Sequence, residues 1–257
     1  MRLANLIKSM SARGLMPGQQ NDDVRKARII HFEEIIDEVM NLKSDQWCAR
    51  LPFPECLINL ENKICMLVQE RFDEAFPGLT KGDTLVHCTA FVGLEQGFKT
   101  LPLDMRFAVD KDGVVKSNWG WHTGNIFVRR TDGLDATEMD QKTALSFVTT
   151  CLSHLTFLNC RNVSLEKIEQ ASDRINQKRI RDNKKPLYSY YVATINGQRI
   201  SRTSTPTGDR AHWRYHLCRG HFKQRKTGRF WWSQHARGDK DLGSIVKDYK
   251  VDSSVAV

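Results

Sequence analysis

The sequence predicts an α+β fold, with N-terminal helices, a mixed or antiparallel sheet, and a basic C-terminal β module. Three observations carry that reading. Apolar residues recur near the 3.6-residue period at the start of the chain and again between Thr137 and Asn159. Short apolar or alternating runs, broken by turn residues, fill the stretch from Leu51 to about Val128. The closing third is basic and rich in aromatic side chains.

Taken in order, Leu3, Leu6, Ile7 and Met10 place a short helix from Leu3 to about Leu15, closed by Gly14 and the pair Pro17-Gly18. Asn21 or Asp22 can cap a second helix, in which Val24, Ala27, Ile30, Ile35, Val39 and Leu42 share a face while Glu33, Glu34, Asp37 and Glu38 crowd the remaining surface. Strands follow around Cys56–Leu60 and Thr84–Val92. A hairpin is expected where Met105–Val109 meets Asp110-Lys111-Asp112-Gly113 and returns through Val114-Val115. Leu145, Val148, Leu152, Leu155 and Leu158 make Thr137–Asn159 the central buried helix. A further helix can start at Ser164, with Glu166 against the positive end of its dipole. It grows basic through Arg174, Lys178, Arg179, Arg181, Lys184 and Lys185, and ends before Pro186. Beyond it Leu187–Ile195 is strand-like, Asn196-Gly197 is a turn, and Trp213–Arg225 and Arg229–Ala236 add strands. The expected organisation is residues 1–171 as a helical and sheet region and 172–257 as the basic module.

At 257 residues the chain can bury a sizeable core. With 40% hydrophobic and 27% charged residues, collagen-like repetition, wholesale disorder and membrane spanning are poor descriptions. The net charge of +9 is unevenly placed: residues 172–257 hold 19 Lys/Arg against 7 Asp/Glu, a balance of +12, while the preceding 171 residues are at −3. Such asymmetry favours a polyanionic partner, nucleic acid first among them, over an acidic small molecule. Seven cysteines without a Cys-x-x-Cys pair do not build a secreted disulfide scaffold, and most have apolar neighbours, as small buried hydrophobes do. No export signal is evident, so a reducing cytosol is the expected home, and no membrane partner or cofactor is implied.

Four of the eight His and three of the six Trp lie between residues 212 and 235. Cations beside aromatic rings suit single-stranded RNA, because Lys and Arg neutralise phosphates while bases stack on rings. The residues singled out for this are Arg214, Tyr215, Arg219, Lys223, Arg225, Lys226, Arg229, Trp231 and Arg237. The plainer reading is that the rings fill a core and the cations face water. Trp231 and Trp232 are adjacent in a strand, so one of them should be core and the other a stacking surface. His216 and His221 are also candidate acid and base for metal-independent RNA cleavage, with Arg219 holding phosphate charge, although histidines bonded to backbone carbonyls are the commoner case. A zinc site from His216, Cys218, His221 and His235 lacks an established ligand spacing, so no metal is expected.

The segment His216-x-x-Arg219-Gly220-His221-Phe222, followed by the strand Arg229-Phe230-Trp231-Trp232, resembles a family of phage and mobile-element proteins. That family includes the type V anti-CRISPR protein that suppresses production of the CRISPR effector nuclease. The similarity lies mainly in residues 145–250. It carries over to His216, Arg219, Gly220, His221, Arg229 and Trp231, with Cys218 and Phe222 as departures inside the motif. The resemblance implies a phage-encoded antagonist of host defence that acts on RNA, with a translating ribosome or a nascent polypeptide as candidate partner. A protein-binding adaptor that uses the acidic N-terminal helices is the remaining alternative.

Overall fold

The structure is a computed structural model. It describes every residue except 1–2, 14–15, 17, 33–46, 62, 72–78, 81, 117–126, 183, 185, 196–213, 219, 233–234 and 245–257. Among the described residues it contains four helices: α1 (Leu3–Ala12), α2 (Gly18–Lys26), α3 (Glu138–Leu158) and α4 (Asp173–Arg181). The larger sheet has nine strands. These are β1 (Arg28–Phe32), β2 (Glu55–Leu60), β3 (Ile64–Arg71), β4 (Thr84–Leu94), β5 (Gly97–Thr100), β6 (Leu103–Val109), β7 (Phe127–Arg130), β8 (Val163–Ile168) and β9 (Tyr190–Ile195). Its order is β7-β6-β4-β3-β2-β1-β9-β8, with β5 paired to β4. β1 is parallel to β2 and to β9, and the other pairs are antiparallel. This is the expected α+β class.

Strand parity sorts the apolar residues onto two faces. Ile30, Ile58, Met66, Val68, Val86, Cys88, Met105 and Phe107 pack beneath α3. Ile29, Leu57, Cys65, Leu67 and Phe91 pack beneath α1 and α2 through Leu3, Ala4, Ile7 and Val24. Because β2 and β3 are buried on both faces, they read as continuous apolar runs without alternation. α3 starts in a capping box: the Thr137 hydroxyl accepts the Asp140 N–H at 3.1 Å, and the Asp140 carboxylate accepts the Thr137 N–H at 2.9 Å. Cys56, Cys65, Cys88, Cys151 and Cys160 are buried free thiols. Burial pushes the Cys56 thiol up to about 12, so it is a packing group at neutral pH.

Two expected helices are corrected. The second helix ends at Lys26, and Arg28–Phe32 is a central strand with Ile29 and Ile30 on opposite faces. The rest of that expected helix, 33–46, lies outside the described residues. The segment from Ser164 is strand β8, whose Val163 and Leu165 pack on the main core. The basic helix begins only at Asp173. The hairpin after β6 turns as expected, with the Asp110 N–H donating to the Val114 carbonyl at 2.9 Å. Its return is limited to single bridges, Val109 with Val115 and Cys48 with Val114. β9 lies between β1 and β8, so the nine-stranded sheet draws on residues from both sides of position 171. No helix among the described residues is long and apolar enough to cross a membrane.

Candidate nucleic-acid interface

Beyond β9 the chain forms short strands: β10 (Arg214–Cys218), β11 (His221–Arg225), β12 (Gly228–Trp232), β13 (His235–Arg237) and β14 (Asp239–Ser244). β11 and β12 make a hairpin closed at Lys226-Thr227, with His221 opposite Trp232, Phe222 opposite Trp231, Lys223 opposite Phe230 and Arg225 opposite Gly228. Directly opposed residues share a face. One face therefore carries His221, Lys223, Arg225, Phe230 and Trp232, and the other Phe222, Gln224, Arg229 and Trp231.

The second face docks on the body of the protein. Trp231 meets Phe222 edge-on at 4.9 Å and Phe157 of α3 at 5.4 Å, and both Trp231 and Phe222 pack against the main core. Asn162 completes the attachment as a strand would. Its amide N–H donates to the Trp231 carbonyl at 2.8 Å, and its side-chain oxygen accepts the Trp231 N–H at 2.9 Å. One residue earlier, the Arg161 backbone N–H donates to the Arg229 carbonyl at 2.9 Å. Glycine is required at two points of this docking. A Cβ on Gly220 would lie 2.7 Å from the Trp231 ring. One on Gly228, where φ is +124°, would lie 2.7 Å from the Arg161 side chain. The Gly220 of the sequence motif thus has a packing role under the ring that the hairpin buries.

The first face is open. Trp232 is 39% exposed. The Lys223 ammonium lies 4.6 Å from its ring centre, and the Arg225 guanidinium lies 5.6 Å from the same ring and 5.5 Å from that of Phe230. The His235 ring approaches Trp232 at 6.3 Å. Lys226 at the hairpin tip is exposed. Cation–ring contacts at exposed positions are worth about 0.5–1 kcal/mol, whereas stacking a base on an aromatic ring is worth about 1–3 kcal/mol. A base can therefore displace either cation from the ring and leave it free to meet a phosphate.

Of the residues singled out in the sequence, Lys223, Arg225 and Lys226 lie on this hairpin and are exposed. Trp231 sits on the docked face, and the exposed ring is that of its neighbour Trp232. Arg229 is half-buried on the docked face. Tyr215 is half-buried on β10, and Arg237 is exposed on β13. Arg219 and the side chains of Arg214 and His216 lie outside the described residues. The backbone of His216 pairs with Arg237, while His221 belongs to the separate β11–β12 pair, so the two histidines are on different ladders. Among the described residues, no three His, Cys, Asp or Glu side chains converge to hold a metal ion.

A second polar cluster lies on the α1 side of the main sheet, where Gln69, His87 and Arg106 form one cross-strand row. Burial alone would raise the Asp104 carboxyl. His87, 3.6 Å away, and Arg106, donating at 2.8 Å, outweigh it and hold that carboxyl down at about 2. Arg106 and His87 partner the Asp104 carboxylate within the sheet, whereas the Gln69 Nε2 and His87 Nε2 atoms are buried without a hydrogen-bond partner among the described residues.

Comparison with protein-family models, with curated proteins and with solved structures finds no match.

Proposed function

We propose that this protein binds single-stranded RNA through the open face of the β11–β12 hairpin. The observation that carries the reading is the grouping of exposed Lys223, Arg225 and Trp232 with half-buried Phe230 on one face of a hairpin whose opposite face is pinned to the core. Rings on a rigid support stack bases at low ordering cost, and the adjacent cations neutralise phosphates. In the wider setting implied by the sequence resemblance, the protein is phage-encoded, works in the host cytosol, and acts on host gene expression or defence by engaging RNA under translation.

The test is charge reversal on the open face. Lys223→Glu with Arg225→Glu should abolish binding of the full chain to a fluorescent single-stranded RNA while leaving its melting temperature within a few degrees of the parent. Undiminished binding by that variant would remove the hairpin from the interface. Sequencing the RNA, and identifying the proteins, that co-purify with parent and variant from infected cells would then name the target.

A further inference from the structure

Helix α4 carries a second concentration of charge that the hairpin does not use. It has no buried residue, and its N-terminal Ser172 makes no side-chain capping bond. Nine residues are too few for a helix to persist alone in water. Here Asn176 ties it down: its amide donates to the Leu187 carbonyl at 2.8 Å, and its side-chain oxygen accepts the Leu187 N–H at 2.8 Å. At 3.6 residues per turn, Arg174, Lys178 and Arg181 fall within about 60° of arc, on the side of the helix opposite Asn176. All three are exposed, and none has an ion-pair partner among the described residues. Like charges three and four residues apart destabilise a helix. The nearest carboxylates, Asp173 and Asp182, stand at its two ends.

We infer that α4 is a second contact element for the same RNA, gripping its phosphodiester backbone with the stripe Arg174, Lys178 and Arg181. The inference rests on the RNA reading of the hairpin and extends it. A rise of 1.5 Å per residue spaces the three cations about 6 and 4.5 Å apart along the helix axis, close enough to meet successive phosphates. The stripe offers no ring on which a base could stack, and cations directed at phosphates carry no sequence information, so its contribution is independent of base sequence. The two elements are separated by β8: the hairpin is fixed at Arg161 and Asn162, at one end of the strand, and α4 follows its other end. Six residues of strand at about 3.3 Å each span about 20 Å, and residues 169–172 then lead to α4. A stacked single strand rising about 3.4 Å per nucleotide covers that span in roughly six nucleotides. The bound RNA is therefore a segment of about eight to twelve nucleotides whose bases meet the hairpin and whose backbone continues to α4.

The experiment compares the full chain, the Trp232→Ala variant and the triple variant Arg174→Gln, Lys178→Gln, Arg181→Gln. Each is titrated with single-stranded RNA of 4 and of 12 nucleotides over a series of salt concentrations, and with vesicles containing phosphatidylserine. The triple variant should bind the 12-mer more weakly, with a slope of log affinity against log salt that is flatter by about 0.7 for each phosphate it no longer engages, about 2 in all, and to the same extent for unrelated sequences. It should bind the 4-mer like the parent. Trp232→Ala should weaken both lengths and leave the slopes unchanged. If the triple variant matches the parent on the 12-mer while Trp232→Ala still weakens it, the α4 contact is refuted and the hairpin reading stands. If the parent binds neither RNA, the hairpin reading itself fails. A triple variant that loses only vesicle binding makes α4 a membrane-surface element and overturns the inference.

Discussion

Truncating the two adjacent tryptophans separates the packing of the hairpin from its binding. Trp231 lies between Phe222 at 4.9 Å and Phe157 at 5.4 Å, edge-on to both. Replacing a core Trp or Phe by Ala typically costs about 3–5 kcal/mol, including about 0.5–1.5 kcal/mol for each aromatic pair removed. Trp231 is half-buried, so Trp231→Ala should fall near the lower bound, about 3 kcal/mol. At about 2–4 °C per kcal/mol for a chain of this size, the melting temperature should drop by roughly 6–12 °C. Trp232 is 39% exposed, and its ring meets Lys223, Arg225 and His235 on the open face. Trp232→Ala should cost about 1–2 kcal/mol of stability, the worth of its two cation–ring contacts. It should nevertheless weaken RNA binding by about 1–3 kcal/mol, roughly five- to 150-fold. Thermal melting and fluorescence anisotropy on the same preparations, at one fixed salt concentration, read both effects. Comparable destabilisation by the two substitutions, with RNA affinity unchanged by Trp232→Ala, would refute the division of the hairpin into a docked and an open face.

Two further outcomes follow from the geometry. Asn162→Ala removes both hydrogen bonds to the Trp231 backbone. Thermal or denaturant unfolding should show a loss of about 1–3 kcal/mol, with proteolysis near the hairpin becoming faster. Asp104 has a folded-state pKa of about 2, below its unfolded value of about 3.9, so its stabilisation is present above about pH 4 and is lost as pH falls toward 2. Asp104→Asn should therefore be less stable than the parent at neutral pH, by on the order of 2 kcal/mol, and the two unfolding curves should converge near pH 2; a gap constant with pH would contradict the pairing with His87 and Arg106.

The parts of the fold that can be read from the sequence are those whose pattern survives one-sided burial. α3 announces itself by a capping box at Thr137 and an apolar repeat, and the β2–β6 region by short apolar runs between turns. β1 is hidden because five residues buried almost throughout carry no alternation, and Ile30 also falls in step with a helical repeat continuing from α2. In β8, Ser164 and Glu166 imitate a helix start, although the alternation of Val163 and Leu165 with polar residues is the better guide; Ser164 instead meets Thr194 across the strand pair at 2.9 Å. At the hairpin, parity alone requires Trp231 and Trp232 to part company. Which one turns inward follows from the pairing of Trp231 with Phe222 and from the reach of Asn162, 69 residues away in sequence. No local pattern marks Asn162 as the dock.

The sharpest test of an RNA interface on this surface is the salt dependence of single-stranded RNA binding by the full chain. With phosphate contacts from Lys223, Arg225 and Lys226 and from the α4 stripe, log affinity should fall linearly with log salt at a slope of about −4, and binding should be strongest at low salt. Absence of binding at low salt, or an affinity indifferent to salt, would contradict an RNA interface on this surface.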